Sequence, residues 1–220
     1  MKKLMMIAAM MVAAVSANAQ FEPGTWSIQP KVGGIVSKVS NMPNLPLESK
    51  ASLDRSFYAG ALIGAEFEYQ VAQPFSVAAG VNFAMQGCQW KNYKEGNIEL
   101  KDPKLELTYL NVPIVANVYL FKGFAIKAGV QVGFLTSAKM KYELKGDKTN
   151  VKFDSSVKDD CKKVDFSIPM GVSYQVPTIP IYIDARYNLG LTKVFKEDGL
   201  DGKNSKNQVF QLTVGYKFAL

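Results

Sequence analysis

The chain contains no histidine in 220 residues. That absence excludes Ser-His-Asp and Cys-His nucleophile pairs and removes the commonest side-chain ligand of transition metals. Cysteine is almost missing too, with only Cys88 and Cys161. No apolar run approaches the ~18 residues that a membrane-spanning helix needs. There is no segment of helical period, no low-complexity tract and no second domain. The basic excess, +7 overall, is spread out, and the clustered Lys/Arg stripe that nucleic-acid binding requires is not found.

What is present begins with a leader. Met1-Lys2-Lys3 is followed by an apolar run from Leu4 to Val15 and by Ala17-Asn18-Ala19 before Gln20. These are the basic, hydrophobic and cleavage regions of a secretory signal. We expect a signal peptide over 1–19 and one barrel domain over 20–220. Removing residues 1–19, with Lys2 and Lys3 among them, leaves 201 residues and takes the formal charge from +7 to +5. No cysteine directly follows the cleavage site, so a lipid anchor there has no attachment point.

The dominant pattern after the leader is a period of two. In residues 124–138, Phe124, Ile126, Ala128, Val130, Val132 and Phe134 share one face, while Ala125, Lys127, Gly129, Gln131 and Gly133 share the other. This is a strand signature. Phe124 and Phe134 are ten positions apart, roughly 33 Å along a strand and about 25 Å in height at ~40° tilt, the height of an outer-membrane apolar band. Alternation predicts strands over 25–37, 55–70, 75–85, 109–121, 124–138, 164–176, 181–190 and 210–220, with a bulge or broken ladder at Pro30. Their connections run long, short, long, short, long, short, long. The long ones, 40–54, 91–104, 141–163 and 195–206, are polar and are read as external loops. The expected fold is all-β, an eight-stranded antiparallel up-and-down transmembrane β-barrel.

A soluble barrel alternates as well, with its apolar face inward. Here the polar face is mostly Gly, Ala, Ser, Asn and Gln, which suits a crowded interior. The apolar face ends in aromatics: Trp26, Tyr69, Phe75, Phe124, Tyr174 and Phe218 at one level, Phe57, Phe83, Phe134, Phe166, Tyr187 and Phe210 at the other. Two girdles on one face fit two membrane interfaces.

The segments Tyr109-Leu-Asn-Val-Pro-Ile114, Gly123-Phe124, Ala128-Gly-Val-Gln-Val-Gly-Phe134 and Ile183-Asp-Ala-Arg-Tyr-Asn-Leu-Gly-Leu191 resemble the PorT-like outer-membrane β-barrel family, a group of porin-family small barrels. The tail Thr213-Val-Gly-Tyr-Lys-Phe-Ala-Leu220 is similar to the C-terminal signal read by the barrel-assembly machinery. The resemblance implies an eight-stranded barrel in the outer membrane of a Gram-negative-type cell, with outer-membrane lipid and, during biogenesis, the assembly machinery as partners. It implies no definite activity, since members differ and one serves a protein-secretion apparatus.

Inward-facing charges fall at a similar height: Lys31, Glu66, Glu68, Lys127, Asp184, Arg186 and Lys217. We expect a lumenal salt-bridge network centred on Arg186, whose planar fork can serve two carboxylates. Glu66 and Glu68 sit about 7 Å apart on one face, a spacing compatible with a glycosidase pair or with plain lumen charges. An interior this narrow favours the plain reading. Cys88 and Cys161 lie toward the outer ends of their strands in an exported chain, which leaves a disulfide between them open. No cofactor, metal or nucleic acid is expected. The function expected is that of a non-enzymatic outer-membrane barrel with a structural or surface-interaction role through its external loops. A small conduit or secretion-machinery accessory is the alternative. External ligands or protein partners are not legible.

Overall fold

A computed structural model of the chain describes residues 22–41, 55–95, 98–146, 150–177, 179–196 and 204–220. The signal segment 1–19 and most of the 40–54 loop lie outside the described residues. Among the described residues there are twelve strands: β1 (Trp26–Val39), β2 (Arg55–Ser56), β3 (Tyr58–Ala72), β4 (Phe75–Trp90), β5 (Tyr93–Glu95), β6 (Ile98–Phe121), β7 (Phe124–Lys145), β8 (Asn150–Ser156), β9 (Val164–Gln175), β10 (Ile181–Gly190), β11 (Asn207–Tyr216) and β12 (Phe218–Ala219), with one 3₁₀ turn at Lys158–Asp160.

Eight of these close a ring. The order is β1-β3-β4-β6-β7-β9-β10-β11 and back to β1, every pairing antiparallel. Each strand of the ring pairs on both sides, so the ring has no free edge along the spanning height. The burial pattern is inverted relative to a soluble protein: Ile63 is 62% exposed and Phe67 50%, whereas Glu66 between them on the sequence is 0% exposed. Apolar side chains therefore face outward and polar ones fill the centre, as alternation requires when lipid is outside. Both rows of aromatics stand on the outward face.

The short turns sit at one end, where the Gly24 N–H also donates to the Gln70 carbonyl and the Leu220 N–H to the Trp26 carbonyl. At the central hairpin Phe121 pairs with Phe124, and their rings stack at 4.7 Å. Gly123 supplies the φ of +83° that this tight turn needs. Pro30 keeps its register with Ala65 of β3, but on its other side the ladder is interrupted: β11 ends at Tyr216, β12 starts at Phe218, and the Lys217 N–H turns away to the Pro180 carbonyl. A residue with no N–H to donate accounts for that gap.

Two expected loops are corrected. Residues 91–104 and 141–163 are read from the sequence as polar external loops, but β6 begins at Ile98, β7 runs to Lys145 and β8 adds a third strand, Tyr142 opposite Phe153. With β5 on the other side, these form a four-stranded sheet that rises well above the ring. It is amphipathic in register. Tyr93, Leu100, Tyr142, Leu144, Val151 and Phe153 share the face continuous with the lumen, whereas Glu99, Lys101, Glu143, Lys145, Lys152 and Asp154 share the opposite one.

Candidate functional site

Two layers of side chains fill the lumen. The layer nearer the turns is ionic. Arg186 of β10 reaches across to β3, its Nη1 donating to Glu66 Oε1 at 2.7 Å and its Nη2 to Glu66 Oε2 at 2.7 Å. Nη2 also donates to Asp184 Oδ2 at 2.9 Å, and Nε lies 2.8 Å from Asp184 Oδ1, off the line of a hydrogen bond. Lys31 donates to Glu66 Oε1 at 2.5 Å, and Lys127 to Asp184 Oδ2 at 2.5 Å. One turn closer to the short-turn end, Glu68 accepts from Lys217 at 3.0 Å, from Ser76 at 2.5 Å, from Tyr119 at 2.5 Å and from Gln29.

All seven charges singled out in the sequence are buried; Lys31, Glu66, Lys127, Asp184 and Arg186 form one connected network, and Glu68 with Lys217 forms a second group beside it. The fork–fork geometry of Arg186 on Glu66 is the strong, directional form of a carboxylate contact. It makes the Glu66–Arg186 pair, rather than Arg186 alone, the hub. Sequence reasoning missed Gln29, Ser76, Asn117 and Tyr119, which complete the shell of Glu68; Asn117 donates to Ser76 Oγ at 2.9 Å. Their signal was parity: each lies on the inward face of its strand, Gln29 two residues from Lys31 and Asn117 opposite Lys127. Room for so many long side chains comes from glycine beside them. A Cβ on Gly80 would collide with Glu66, and one on Gly215 with the Tyr182 ring. Lys127 Nζ lies 5.8 Å above that same ring, a cation–π contact that holds the ammonium toward the centre.

The outer layer is apolar and was not foreseen. Val39, Cys88, Trp90, Leu100, Leu105, Leu107, Tyr109, Leu135 and Ala138 form one buried cluster with Cys161, Val194 and Phe195. Tyr93, Met140, Tyr142 and Val157 pack against it. Phe195 was expected in a solvated loop; it is instead 1% exposed. Its segment is held in the mouth by main-chain bonds. Cys161 bridges Phe195, the Lys162 N–H donates to the Val194 carbonyl at 2.8 Å, and the Val194 N–H to the Ser205 carbonyl at 2.7 Å.

The two cysteines sit in this cluster as free thiols, so the disulfide left open by the sequence is not formed. Each is fixed to a different partner segment: Cys88 pairs with Leu105 on β6, and Cys161 forms an isolated bridge with Phe195 in the connection after β10. Cys88 lies five residues beyond the girdle residue Phe83, outside the spanning height. Burial pushes its thiol up to about 12 and that of Cys161 to about 11, so neither supplies a thiolate nucleophile near neutral pH.

On the charged face of the projecting sheet, Glu106 is held by Lys141 at 2.6 Å and Lys104 at 3.0 Å. Burial alone would raise its carboxyl, but the hydrogen bonds from Lys141 and Lys104 outweigh it and hold the group below its ordinary value. Nothing in these arrangements pairs a nucleophile with a base. Both lumenal glutamates have their oxygens committed to cations or donors, and among the described residues no cluster of three metal-ligating side chains exists.

The family model described as outer membrane protein beta-barrel domain matches residues 18–196, which takes in seven strands of the ring and stops short of β11. Among solved structures, the chain is similar to Ail, the attachment invasion locus protein of Yersinia pestis, at 14% identity and a TM-score of 0.45 over 89% of this chain and 99% of that one. It is similar to the outer membrane protein OprG from Pseudomonas aeruginosa at 11% identity and 0.44, over 91% and 99%. Neisserial surface protein A gives 14% identity and 0.40, over 88% and 97%. Among curated proteins none matches.

Proposed function

The chain belongs to the outer membrane protein beta-barrel domain family, and from that premise we propose that its barrel is a closed, non-enzymatic anchor in the outer membrane that displays the β5–β8 sheet for interaction outside the cell. The observation that carries this reading is the double closure of the lumen. An eight-stranded ring is just wide enough for its own side chains. Here that space is occupied by the ionic layer and again by the apolar layer. Strands with no pore to line nevertheless continue far past the membrane, and binding surfaces collect where a rigid scaffold holds up exposed structure. The finer placement among PorT-like barrels, and with it a secretion-accessory role, rests on the sequence resemblance; a conduit would need an open centre.

Planar-bilayer recording of the purified, reconstituted protein tests the proposal. The expected trace is flat at all voltages. Steady single-channel conductance through the wild-type barrel overturns it.

A further inference from the structure

β8 (Asn150–Ser156) is the outermost strand on one side of the projecting sheet. Among the described residues its ladder runs to β7 alone, and all of its residues are exposed. The register tells which backbone groups are free. Lys139 lies opposite Ser156, and beside that pair the Val157 N–H donates to the Ala138 carbonyl at 3.0 Å. Bonded pairs of an antiparallel ladder recur at every second residue. Val151, Phe153 and Ser155 therefore bond β7, whereas the N–H and C=O groups of Asn150, Lys152, Asp154 and Ser156 point away from the sheet. Such a row of backbone groups is a template for another strand.

The side chains say which strand fits. Charge alternates along the row that crosses the sheet here, with Lys101 opposite Glu143 and Glu143 opposite Lys152. An added strand continues the alternation by setting a carboxylate beside Lys152 and a cation beside Asp154. β8 itself carries both, one on each side of Phe153. Asp154 lies 3.7 Å from Lys139 and 3.9 Å from Lys141, with its side chain still 51% exposed. Turned about a two-fold axis through Phe153, a second β8 runs antiparallel to the first and sets Lys152 opposite Asp154 and Asp154 opposite Lys152. These are residues whose backbone groups point outward, so bonding pattern and charge pattern select the same register. Axes through Lys152 or Asp154 set like charges face to face, which is destabilising.

We propose that β8 pairs edge to edge with β8 of a second copy held in a facing membrane. The inference rests on the anchor reading above and names the partner of the displayed sheet. Two copies in one membrane are related by an axis along the membrane normal, and both β8 strands then descend toward their own barrel mouths; antiparallel pairing needs one copy inverted. Phe153 stands opposite Tyr142, which puts it about 20 Å beyond the girdle residue Phe134 at ~3.3 Å per residue and ~40° tilt. The paired sheets hold the two surfaces about 40 Å apart.

The full chain is folded into phosphatidylcholine vesicles, brought to equal amounts of folded, outward-facing protein by heat-dependent mobility in SDS and protease accessibility, and vesicle size is followed by light scattering. Wild-type vesicles are expected to grow at least about three-fold in mean radius, since many weak contacts act together between two vesicles. Lys152→Asp vesicles and Asp154→Lys vesicles are each expected to keep their starting size, because each change sets like charges across the axis. Mixed together, the two are expected to cluster as wild type does, because the changes complement each other at both pairs. Lys101→Asp makes the same change of charge on the same face away from the edge, and is expected to cluster as wild type does. Wild-type vesicles that stay dispersed overturn the pairing between copies and leave the edge to a strand of another protein. Clustering that either single variant retains, that Lys101→Asp loses, or that the mixture fails to recover overturns it as well. Conductance of the wild type bears on the anchor reading alone, so the two failures are read separately.

Discussion

The two layers that close the lumen do so by opposite means. The ionic layer is assembled from strand residues whose inward direction is fixed by parity, with Lys217 added from the break between β11 and β12, and it holds together because each charge answers another. The apolar layer is assembled from strand extensions and from a connecting segment folded back into the mouth, and it closes by shape. The first is expected to fail as a unit, because removing one ion leaves its partners buried with less compensation. The second is expected to fail by degrees, each truncation costing its own contacts and cavity.

The largest predicted effect tests that unity. Glu66→Leu removes the carboxylate that holds both Lys31 and the guanidinium of Arg186, and should cost about 5 kcal/mol in urea titrations of the barrel in detergent or lipid. Arg186→Met should cost about 3 kcal/mol, because Glu66 keeps Lys31 and Asp184 keeps Lys127. The double variant should cost clearly less than the two singles added; strict additivity in this cycle would break the comparison. In the apolar layer, Leu107→Ala should cost about 2 kcal/mol, toward the low end for a buried leucine because the layer opens upward and can settle into the space.

On the projecting sheet the effects are smaller. Glu106→Gln should cost less than about 1 kcal/mol, as expected for a solvent-screened cluster. Its pH dependence has a definite sign. The folded carboxyl is the one held below 4.5, so its contribution is full above the unfolded value and is lost as pH falls through the folded one. Amide exchange across β6–β8 should therefore quicken on acidification below about pH 4.5, and an unchanged or slower exchange would refute the assignment. The smallest effect is none at all. Neither Cys88 nor Cys161 should react with an alkylating reagent at pH 8 in the folded barrel, and both should react once it is denatured without reductant. Mass spectrometry reads both outcomes, and a pair that stays unmodified after denaturation would show a disulfide.

The same contrast explains what the sequence made legible. Period-two alternation assigns a direction to every residue of a spanning strand, so the ring, its turns and the seven lumenal charges could be placed without coordinates. Alternation also exposes its own limit. Between Thr108/Tyr109 and Ser137/Leu135 the β6–β7 register shifts, and the inward parity of β7 passes from Leu135 to Ala138. Extrapolating parity beyond that bulge turns the wrong residues inward. Nothing periodic announces Val194 and Phe195, whose burial depends on main-chain bonds to a segment more than thirty positions away. Charge density misled in the same region: 91–104 and 141–163 are rich in Lys, Asp and Glu, yet those charges pair across strands on one face and leave the other face apolar.

The height of the β6–β7 hairpin has a mechanical side. Its ladder runs from Glu99 opposite Lys145 at the tip to Phe121 opposite Phe124 at the far turn, so one pair of strands passes through the whole thickness of the membrane. A pull applied at the tip is directed along these strands and strains many ladder bonds at once, in shear, where a pull across them would open the bonds one after another. Tension borne by whatever grips the sheet is thus delivered to the wall of the barrel, and the wall is braced from inside by the Lys127–Asp184 contact, which ties β7 to β10 past the intervening β9. In that sense the filled centre is an internal strut, and its stiffness sets how firmly the exterior sheet can be held against a moving partner.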